Sequence, residues 1–170
     1  MRGTALALGL ILLAAPAAAQ QVKPVCTDNS RTCLLTVAKS YLHAIWNHDG
    51  SKTLLHPKVR RVEQGTIAEE GEAVIRKSLF MEPDMPGEHP TRYFVDEKQS
   101  TVVYFTLLPA KGRNADPKRE AYDMGGQDRT LHLAERIKVE GGLITEIEAV
   151  FFPEMDTLAG KPAFPGADER

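Results

Sequence analysis

The segment that most constrains the fold runs from Leu131 to Phe152, where two β-rich runs flank Gly141 and Gly142. Adjacent glycines between such runs predict a β-hairpin, because the centre of a two-residue primed turn needs positive φ, which glycine adopts without steric cost. Strict alternation on both sides of the turn then determines which side chains share a face of the sheet.

This register predicts one mostly apolar face on the hairpin, interrupted by carboxylates. The apolar members of that face are Leu131, Leu133, Ile137, Val139, Ile144, Val150 and Phe152. The same register pairs Ile137 with Glu146 and places Glu135 directly opposite Glu148. Facing carboxylates repel, so Glu135 and Glu148 need a cation, a shared proton or solvent between them. The opposite face is mixed in polarity and carries His132.

The amino-terminal residues predict an export signal. Arg2 supplies a short positive region, residues 5–15 form an apolar core too short to span a bilayer, and residues 17–19 form a small-residue cleavage site. We therefore expect residues 1–19 to be a signal peptide. The protein is then secreted, to the periplasm, and is not associated with a membrane after cleavage.

The chain contains two cysteines, Cys26 and Cys33, and both follow the expected cleavage site. After export they meet an oxidising compartment, where a disulfide is expected rather than free thiols. Two cysteines without a nearby histidine pair do not complete a tetrahedral set of ligands, so no metal is expected.

One compact domain is expected over residues 32–153, a length that supports a single hydrophobic core. Residues 20–31 precede it as an N-terminal segment, and residues 154–170 follow as a loosely ordered tail rich in proline and glycine. The polar stretch 109–128 is either a mobile or disordered loop or a lid over a pocket. A net charge of −2 and scattered basic pairs argue against nucleic acid as a partner.

Apolar residues at helical spacing predict a first helix over residues 32–47 and a shorter second helix over residues 72–80. The remaining chain is typical of strands, at 59–63, 92–95 and 101–108 and in the hairpin. Helices followed by consecutive strands indicate an α+β fold, in which a curved antiparallel sheet wraps the N-terminal helices.

Two segments, YLHAIWNHDGSKTLLHPKVRRVEQG and LAERIKVEGGLITEIEAVF, resemble the SnoaL-like branch of the nuclear transport factor 2-like superfamily. Within that branch the chain is similar to a secreted family of unknown function whose members have Glu-Asn-Gly where this chain has Glu63, Gln64 and Gly65. The resemblance implies a cone-shaped fold with a pocket between sheet and helices, and often a homodimer formed through the sheet. It implies no single activity, because the scaffold hosts isomerases, cyclases, dehydratases, epoxide hydrolases and binding modules.

Candidate site residues follow from this pocket. Tyr41 and Trp46 lie on the apolar stripe of the first helix and Tyr104 lies in a strand, and each is either a pocket-lining or an ordinary core aromatic residue. Glu63 ends its strand, and if it points inward a carboxylate in apolar surroundings has a raised pKa suited to proton transfer. The alternative for each strand glutamate is that it is solvated or paired, with Arg61 or Arg136 as the partner. His132 is the imidazole candidate, either as a base or as a surface histidine. Without a nucleophile triad, a phosphate loop or a dinucleotide fingerprint, no cofactor is expected.

The sequence leaves two functions open and does not decide whether the chain is an enzyme. The first is cofactor-independent isomerisation, elimination or hydrolysis of a small, largely apolar molecule. Its base is Glu63 or the Glu135/Glu148 pair, and its donor is Tyr41 or His132. The second is a non-catalytic ligand-binding or dimerisation module. An open cavity with convergent polar groups favours the first function, and a filled cone favours the second.

Overall fold

The computed structural model describes residues 22–87, 89–119 and 127–154. The predicted signal peptide, the tail from residue 155 and residues 120–126 of the polar stretch lie outside the described residues. The elements are α1 (Arg31–Asn47), β1 (Leu55–Glu63), β2 (Thr66–Glu70), α2 (Glu72–Met81), β3 (Thr91–Asp96), β4 (Thr101–Ala110), β5 (Arg129–Glu140) and β6 (Leu143–Pro153).

The strands form one sheet in the order β2-β1-β6-β5-β4-β3, in which β1 and β6 are parallel and every other pair is antiparallel. Helix α1 packs against β3 to β6, and α2 packs against β1 and β2. The predicted α+β architecture, a curved sheet wrapping the N-terminal helices, is confirmed. No helix within the described ranges is long and apolar enough to cross a bilayer.

Helix α1 begins and ends at residues suited to those positions. The Ser30 hydroxyl accepts a hydrogen bond from the Cys33 amide at 3.3 Å, and His48 closes the helix in a left-handed conformation with φ of 53°. Between these caps, apolar side chains at helical spacing face the sheet and are buried, among them Leu34, Val37, Ala38, Tyr41, Leu42 and Ile45. Each large side chain of this stripe stabilises the fold by roughly 1.5–3 kcal/mol, so burial rather than propensity holds α1 on the sheet.

The two-residue glycine turn of the β5–β6 hairpin is confirmed, but the register predicted beyond it is wrong. Thr145 is an extra residue in β6 and forms a β-bulge, which displaces the rest of the strand by one position. Glu135 therefore lies opposite Ala149, and not opposite Glu148. A one-residue displacement moves every later side chain of β6 to the other face of the sheet.

The bulge changes which residues of β6 are buried. Ile147 pairs with Ile137 on the inner face, where Glu146 was predicted. Val150 and Phe152, predicted to be buried, are 52% and 53% exposed on the outer face. The apolar face of the hairpin thus exists, but its β6 half consists of different residues.

A second hairpin, between β1 and β2, was not predicted. Its turn is made by Gln64 and Gly65, which have φ of 50° and 79°, the positive values that a primed two-residue turn needs. The side-chain amide of Gln64 donates a hydrogen bond of 2.6 Å, through Nε2, to the backbone carbonyl of Phe151. The Gln64 side chain thus ties this turn to β6.

The segment before α1 is held against the far end of the sheet. The predicted disulfide between Cys26 and Cys33 is present. The Cys26 carbonyl approaches Gly142 so closely that a Cβ atom at that glycine would lie 1.8 Å from the oxygen. Glycine at position 142 therefore serves both the positive φ of the turn and the close approach of the N-terminal segment.

Candidate functional site

A cavity of about 150 Å³ lies between α1, the inner face of the sheet and the segment that follows α2. Most of its wall is apolar, with Ile45, Met85, Leu108, Leu131, Leu133 and Phe151 as the large side chains. Its polar groups are Tyr41, Arg61, Glu63, Glu82 and Glu135. A cavity of this size elsewhere holds a molecule about as large as benzene.

Arg61 is the cation at the centre of these polar groups and is 3% exposed. Its Nη1 atom donates to the Tyr41 hydroxyl at 3.2 Å and lies 3.5 Å from Glu82 Oε1. Its Nε atom lies 3.0 Å from Glu63 Oε1 and 3.3 Å from Glu69 Oε2. Burial acts to lower the pKa of Arg61, but Tyr41, Glu82 and Glu63 outweigh it and raise that pKa above its ordinary range.

Glu135 projects from β5 into the cavity wall and is 3% exposed. The hydroxyl group of Tyr104 donates a hydrogen bond to its Oε2 atom. Burial raises the pKa of Glu135 to about 8, although Tyr104 and Arg61 act to lower it. A carboxyl group with this pKa exchanges its proton near neutral pH, which is what a general acid or base requires.

Glu82 follows α2 directly and is the second carboxyl group of the cavity with a shifted pKa. Burial raises the pKa of Glu82 to about 7, against the lowering effect of Arg61 and with a further increase from Glu63. Its side chain is 13% exposed, compared with 21% for Glu63. The charge of Glu82 also acts to raise the pKa of Glu135.

Tyr41 and Tyr104 remain protonated in this environment. Burial, the largest cause in both cases, raises the pKa of each phenol well above its ordinary value. Since Tyr41 already accepts a hydrogen bond from Arg61, its own proton is directed elsewhere. Tyr41 is therefore suited to donate a hydrogen bond to a molecule in the cavity.

Of the residues predicted for the site, Tyr41, Glu63 and Glu135 line this cavity together. The prediction for Glu148 is wrong, because the Thr145 bulge turns its side chain to the outer face of the sheet. There it accepts a hydrogen bond of 2.8 Å from Arg136 Nε. Glu135 and Glu148 therefore share no proton.

Three other predicted residues lie outside the cavity. His132 is on the outer face of β5, where its ring stacks on Phe152 with centroids 4.9 Å apart. Trp46 stacks on His89, with ring centroids 4.6 Å apart, and is not among the residues that line the cavity. Tyr104 is fully buried behind Glu135 and reaches the site only through that carboxyl group. For His132 the reason is alternation along β5, which turns neighbouring side chains to opposite faces.

Sequence reasoning missed Glu82 and the central position of Arg61 in the site. Arg60 and Arg61 form one of the scattered basic pairs, but alternation along β1 turns Arg60 outward to Glu146 and Arg61 inward beside Val59. That alternation was a readable signal. Nothing in the sequence marks Glu82, whose position depends on where α2 ends against the sheet.

Other hollows in the described part of the chain are weaker candidates for a site. A larger hollow of about 730 Å³ runs along the polar side of α1 by Lys39, His43 and Asp49, but it is open to solvent and collects no buried titratable pair. Across the described residues, no group of three or more His, Cys, Asp or Glu side chains is arranged to hold a metal ion. The enclosed cavity is therefore the candidate site.

Several solved structures have this fold. An NTF2-like protein from Burkholderia xenovorans LB400 gives a TM-score of 0.53 at 11% identity, over 72% of this chain and 92% of its own. A proposed isomerase from Bacillus subtilis gives a TM-score of 0.55 at 11% identity, over 71% of this chain and 87% of its own. AusH from Aspergillus nidulans gives a TM-score of 0.52 at 10% identity, over 78% of this chain and 97% of its own. These likenesses confirm the predicted nuclear transport factor 2-like cone and show the fold alone.

A match in sequence covers most of the chain. Residues 27–151 match the family described as "Domain of unknown function (DUF8021)". A comparison with curated proteins finds no match.

Proposed function

Since the chain belongs to the DUF8021 family and folds as a nuclear transport factor 2-like cone, we propose that its cavity holds a small, largely apolar molecule on which Glu135 performs cofactor-independent proton transfer. The reaction class is isomerisation, elimination or hydrolysis. The observation that carries this proposal is a carboxyl group, 3% exposed, that lines an apolar cavity, where burial raises its pKa to about 8.

Isomerisation illustrates the roles. Ionised Glu135 removes a proton from a carbon next to a carbonyl group, and Tyr41 donates a hydrogen bond to the oxygen on which negative charge develops. Glu135 then returns the same proton to a different carbon, so the reaction leaves both residues as they began. Arg61 positions the Tyr41 hydroxyl and strengthens its donation. Glu63, paired with Arg61 at 3.0 Å, holds the guanidinium in place and is not the base.

Deuterium exchange tests this proposal without knowledge of the natural substrate. Small cyclic ketones, and any compound that native mass spectrometry finds bound to the purified protein, are incubated with it in D₂O. The wild type should catalyse uptake of deuterium next to the carbonyl group, faster as pH rises towards about 8, because Glu135 must be ionised.

The variants locate that activity. Glu135→Gln should lower the exchange rate at least about 100-fold, a typical contribution of a positioned base. Glu148→Gln is the matched control, because it makes the same change on the outer face of the same sheet and should leave the rate unaltered. Exchange that persists in Glu135→Gln would rule out the assigned base.

A non-catalytic module is the second candidate, and the outer face of the sheet favours it. Phe94, Phe105, Val150 and Phe152 are each between 42% and 57% exposed there, an apolar patch of the kind that marks an interaction surface. We propose that two copies associate through this face. Sedimentation equilibrium should find a dimer for the wild type and a monomer for Phe105→Glu. No exchange in D₂O combined with a retained small molecule would favour this module over the enzyme.

We also propose that the protein is exported after removal of residues 1–19 and that it belongs to the SnoaL-like branch. The Cys26–Cys33 disulfide supports export, because such bonds persist in oxidising compartments. Amino-terminal sequencing of the protein from its native cells should begin at Gln20. A chain that starts at Met1 would contradict export by cleavage.

A further inference from the structure

Tyr104 and Glu135 face each other across two neighbouring strands. Tyr104 on β4 lies directly opposite Glu135 on β5, and both side chains are buried on the inner face of the sheet. Residues directly opposite in antiparallel strands have Cβ atoms about 4.5–5.5 Å apart, so their polar ends can meet. The Tyr104 hydroxyl donates a hydrogen bond to Oε2 of Glu135. This bond therefore joins a buried phenol to the carboxyl group of the candidate site.

The hydrogen bond reaches Glu135 from outside the cavity. Glu135 lines the cavity, whereas Tyr104 is not among the lining residues. On the side away from Glu135, Tyr93 of β3 lies opposite Tyr104, and the centroids of the two rings are 5.9 Å apart. Tyr104 is thus held between Tyr93 and Glu135, and a molecule in the cavity contacts Glu135 without contacting Tyr104.

The phenolic proton of Tyr104 stays on its own oxygen. Burial, the largest cause, raises the pKa of this phenol well above its ordinary value, and the charge of Glu135 acts in the same direction. The hydroxyl group is therefore a donor over the whole pH range in which Glu135 titrates. In a neutral carboxyl group the carbonyl oxygen is the better acceptor, so donation to Oε2 leaves the carboxyl proton on Oε1.

We propose that Tyr104 is the positioning residue of this site: its hydroxyl holds Oε2 of Glu135, so that Oε1 takes the proton from the molecule in the cavity and returns it. This inference rests on the proposed function and deepens it, because it adds a residue that acts on the reaction only through Glu135. The transferred proton leaves a carbon atom of the substrate, binds Oε1 and returns from there to carbon. Tyr104 keeps its own proton throughout, and no other reactant takes part.

Other groups near Glu135 also influence its titration. The titratable groups around it are Tyr41 on α1, Arg61 and Glu63 on β1, Glu82 after α2 and Tyr104 on β4. Burial is the largest cause of the raised pKa of Glu135, and Glu82 and Glu63 act in the same direction. The hydrogen bond from Tyr104 is the largest of the causes that lower this pKa, ahead of Arg61. Loss of the Tyr104 hydroxyl should therefore raise the pKa of Glu135 further.

Tyr104→Phe tests the proposal, because it removes the hydroxyl group and keeps the ring. Infrared spectroscopy across a range of pH follows the stretching band of the protonated carboxyl group, and Glu135→Gln identifies that band by its absence. The midpoint of the Glu135 band should rise by at least about one pH unit in Tyr104→Phe, the typical effect of losing a hydrogen bond to a charged group. An unchanged midpoint would overturn the inference.

Deuterium exchange into cyclohexanone measures the consequence for the reaction. At pH 7 the rate in Tyr104→Phe should fall at least about tenfold, because a midpoint one pH unit higher leaves about a tenth of the ionised Glu135. The curve of rate against pH should move with the infrared midpoint. The ketone concentration that gives half the maximal rate should stay within about twofold, since Tyr104 does not line the cavity. A lower rate without movement of the curve along the pH axis would mean a purely structural effect and would contradict positioning.

Two further variants separate the hydrogen bond from packing. Tyr93→Phe makes the same change one strand away and should leave the infrared midpoint and the exchange rate unaltered. Introduction of meta-fluorotyrosine in place of Tyr104 makes the phenol more acidic and a stronger donor, so the midpoint should fall instead of rise. Thermal denaturation confirms that each variant is folded. An equal rise in Tyr93→Phe and Tyr104→Phe would attribute the effect to packing and refute the proposal.

The outcomes distinguish this inference from the proposed function. Exchange by the wild type that is lost in Glu135→Gln, combined with one midpoint shared by the wild type and Tyr104→Phe, refutes the positioning role and leaves the function intact. A midpoint that rises in Tyr104→Phe while the wild type exchanges no deuterium refutes the enzyme. Tyr104 then affects the titration of Glu135 without serving a reaction, and its role as a positioning residue is refuted as well.

Discussion

The buried carboxyl group of Glu135 predicts a specific dependence of stability on pH. Its pKa rises from 4.5 to about 8 on folding, with burial as the largest cause. Below pH 4.5 both states hold the proton, and above pH 8 neither does. Between these values only the folded state holds it, so the free energy of unfolding falls by about 1.4 kcal/mol per pH unit as pH rises. The full loss is on the order of 5 kcal/mol.

Glu135→Gln should remove this dependence, because glutamine has almost the same shape and does not titrate. At pH 5 the variant should be within about 1.5 kcal/mol of the wild type, the range of one altered hydrogen bond with Tyr104. At pH 8.5 it should be more stable than the wild type by roughly 2–5 kcal/mol. The lower limit allows for the part of the raised pKa of Glu135 that comes from the charge of Glu82 and not from burial.

Equilibrium unfolding in urea at half-unit steps from pH 5 to pH 9 measures this difference, and subtraction removes the titration of all other groups. Glu148→Gln is the control, since its side chain is 46% exposed on the opposite face and its curve should run parallel to that of the wild type. If the Glu135→Gln curve also runs parallel to the wild type, Glu135 is not held protonated in the folded protein, and the reasoning from burial to pKa to function fails.

Three further changes test other parts of the structure by urea denaturation. Gly142→Ala should destabilise the protein by more than about 3 kcal/mol, because its Cβ would lie 1.8 Å from the Cys26 carbonyl oxygen. At Gly141 a Cβ atom meets open space, so Gly141→Ala should cost only about 1–2 kcal/mol, for its positive φ. Equal losses in the two variants would refute the close approach. Arg61→Met should cost about 3–5 kcal/mol at pH 8 and less at pH 5, where Glu82, whose pKa is raised to about 7, holds its proton. Ser30→Ala should cost about 1 kcal/mol through loss of the α1 cap, and no change would contradict that cap.

The fold could be predicted because its main signals are local. The glycine pair predicts a turn, because glycine readily adopts the positive φ that the turn requires. The apolar residues from Leu34 to Ile45 predict a helix from their spacing. Strand β2 could not be found in this way. It is a short edge strand of mostly exposed residues, Thr66–Glu70, so it shows no apolar alternation, and it forms because the turn at Gln64 and Gly65 directs it along β1.

The site was less predictable than the fold because it depends on contacts between distant segments. Tyr41, Glu63 and Glu135 lie on three separate elements, and inward orientation could be expected for each from periodicity alone. Glu82 enters the site through the packing of α2, which no local pattern encodes. Arg61 is predictable from alternation along β1, which places it on the same inward face as Val59.

The bulge at Thr145 determines what kind of site this is. In a strictly alternating β6, Glu148 would lie opposite Glu135, and two carboxylates would occupy the inner face where the cavity now lies. The bulge instead places Ala149 opposite Glu135, and this small side chain leaves room beside the carboxyl group, while Glu148 pairs with Arg136 outside. A sequence signal for the bulge exists, because buried Ile144 and Ile147 are three residues apart, a spacing that strict alternation cannot bury on one face. One inserted residue thus replaces a carboxylate pair by a single buried carboxyl group, and the open space beside Glu135 follows from it.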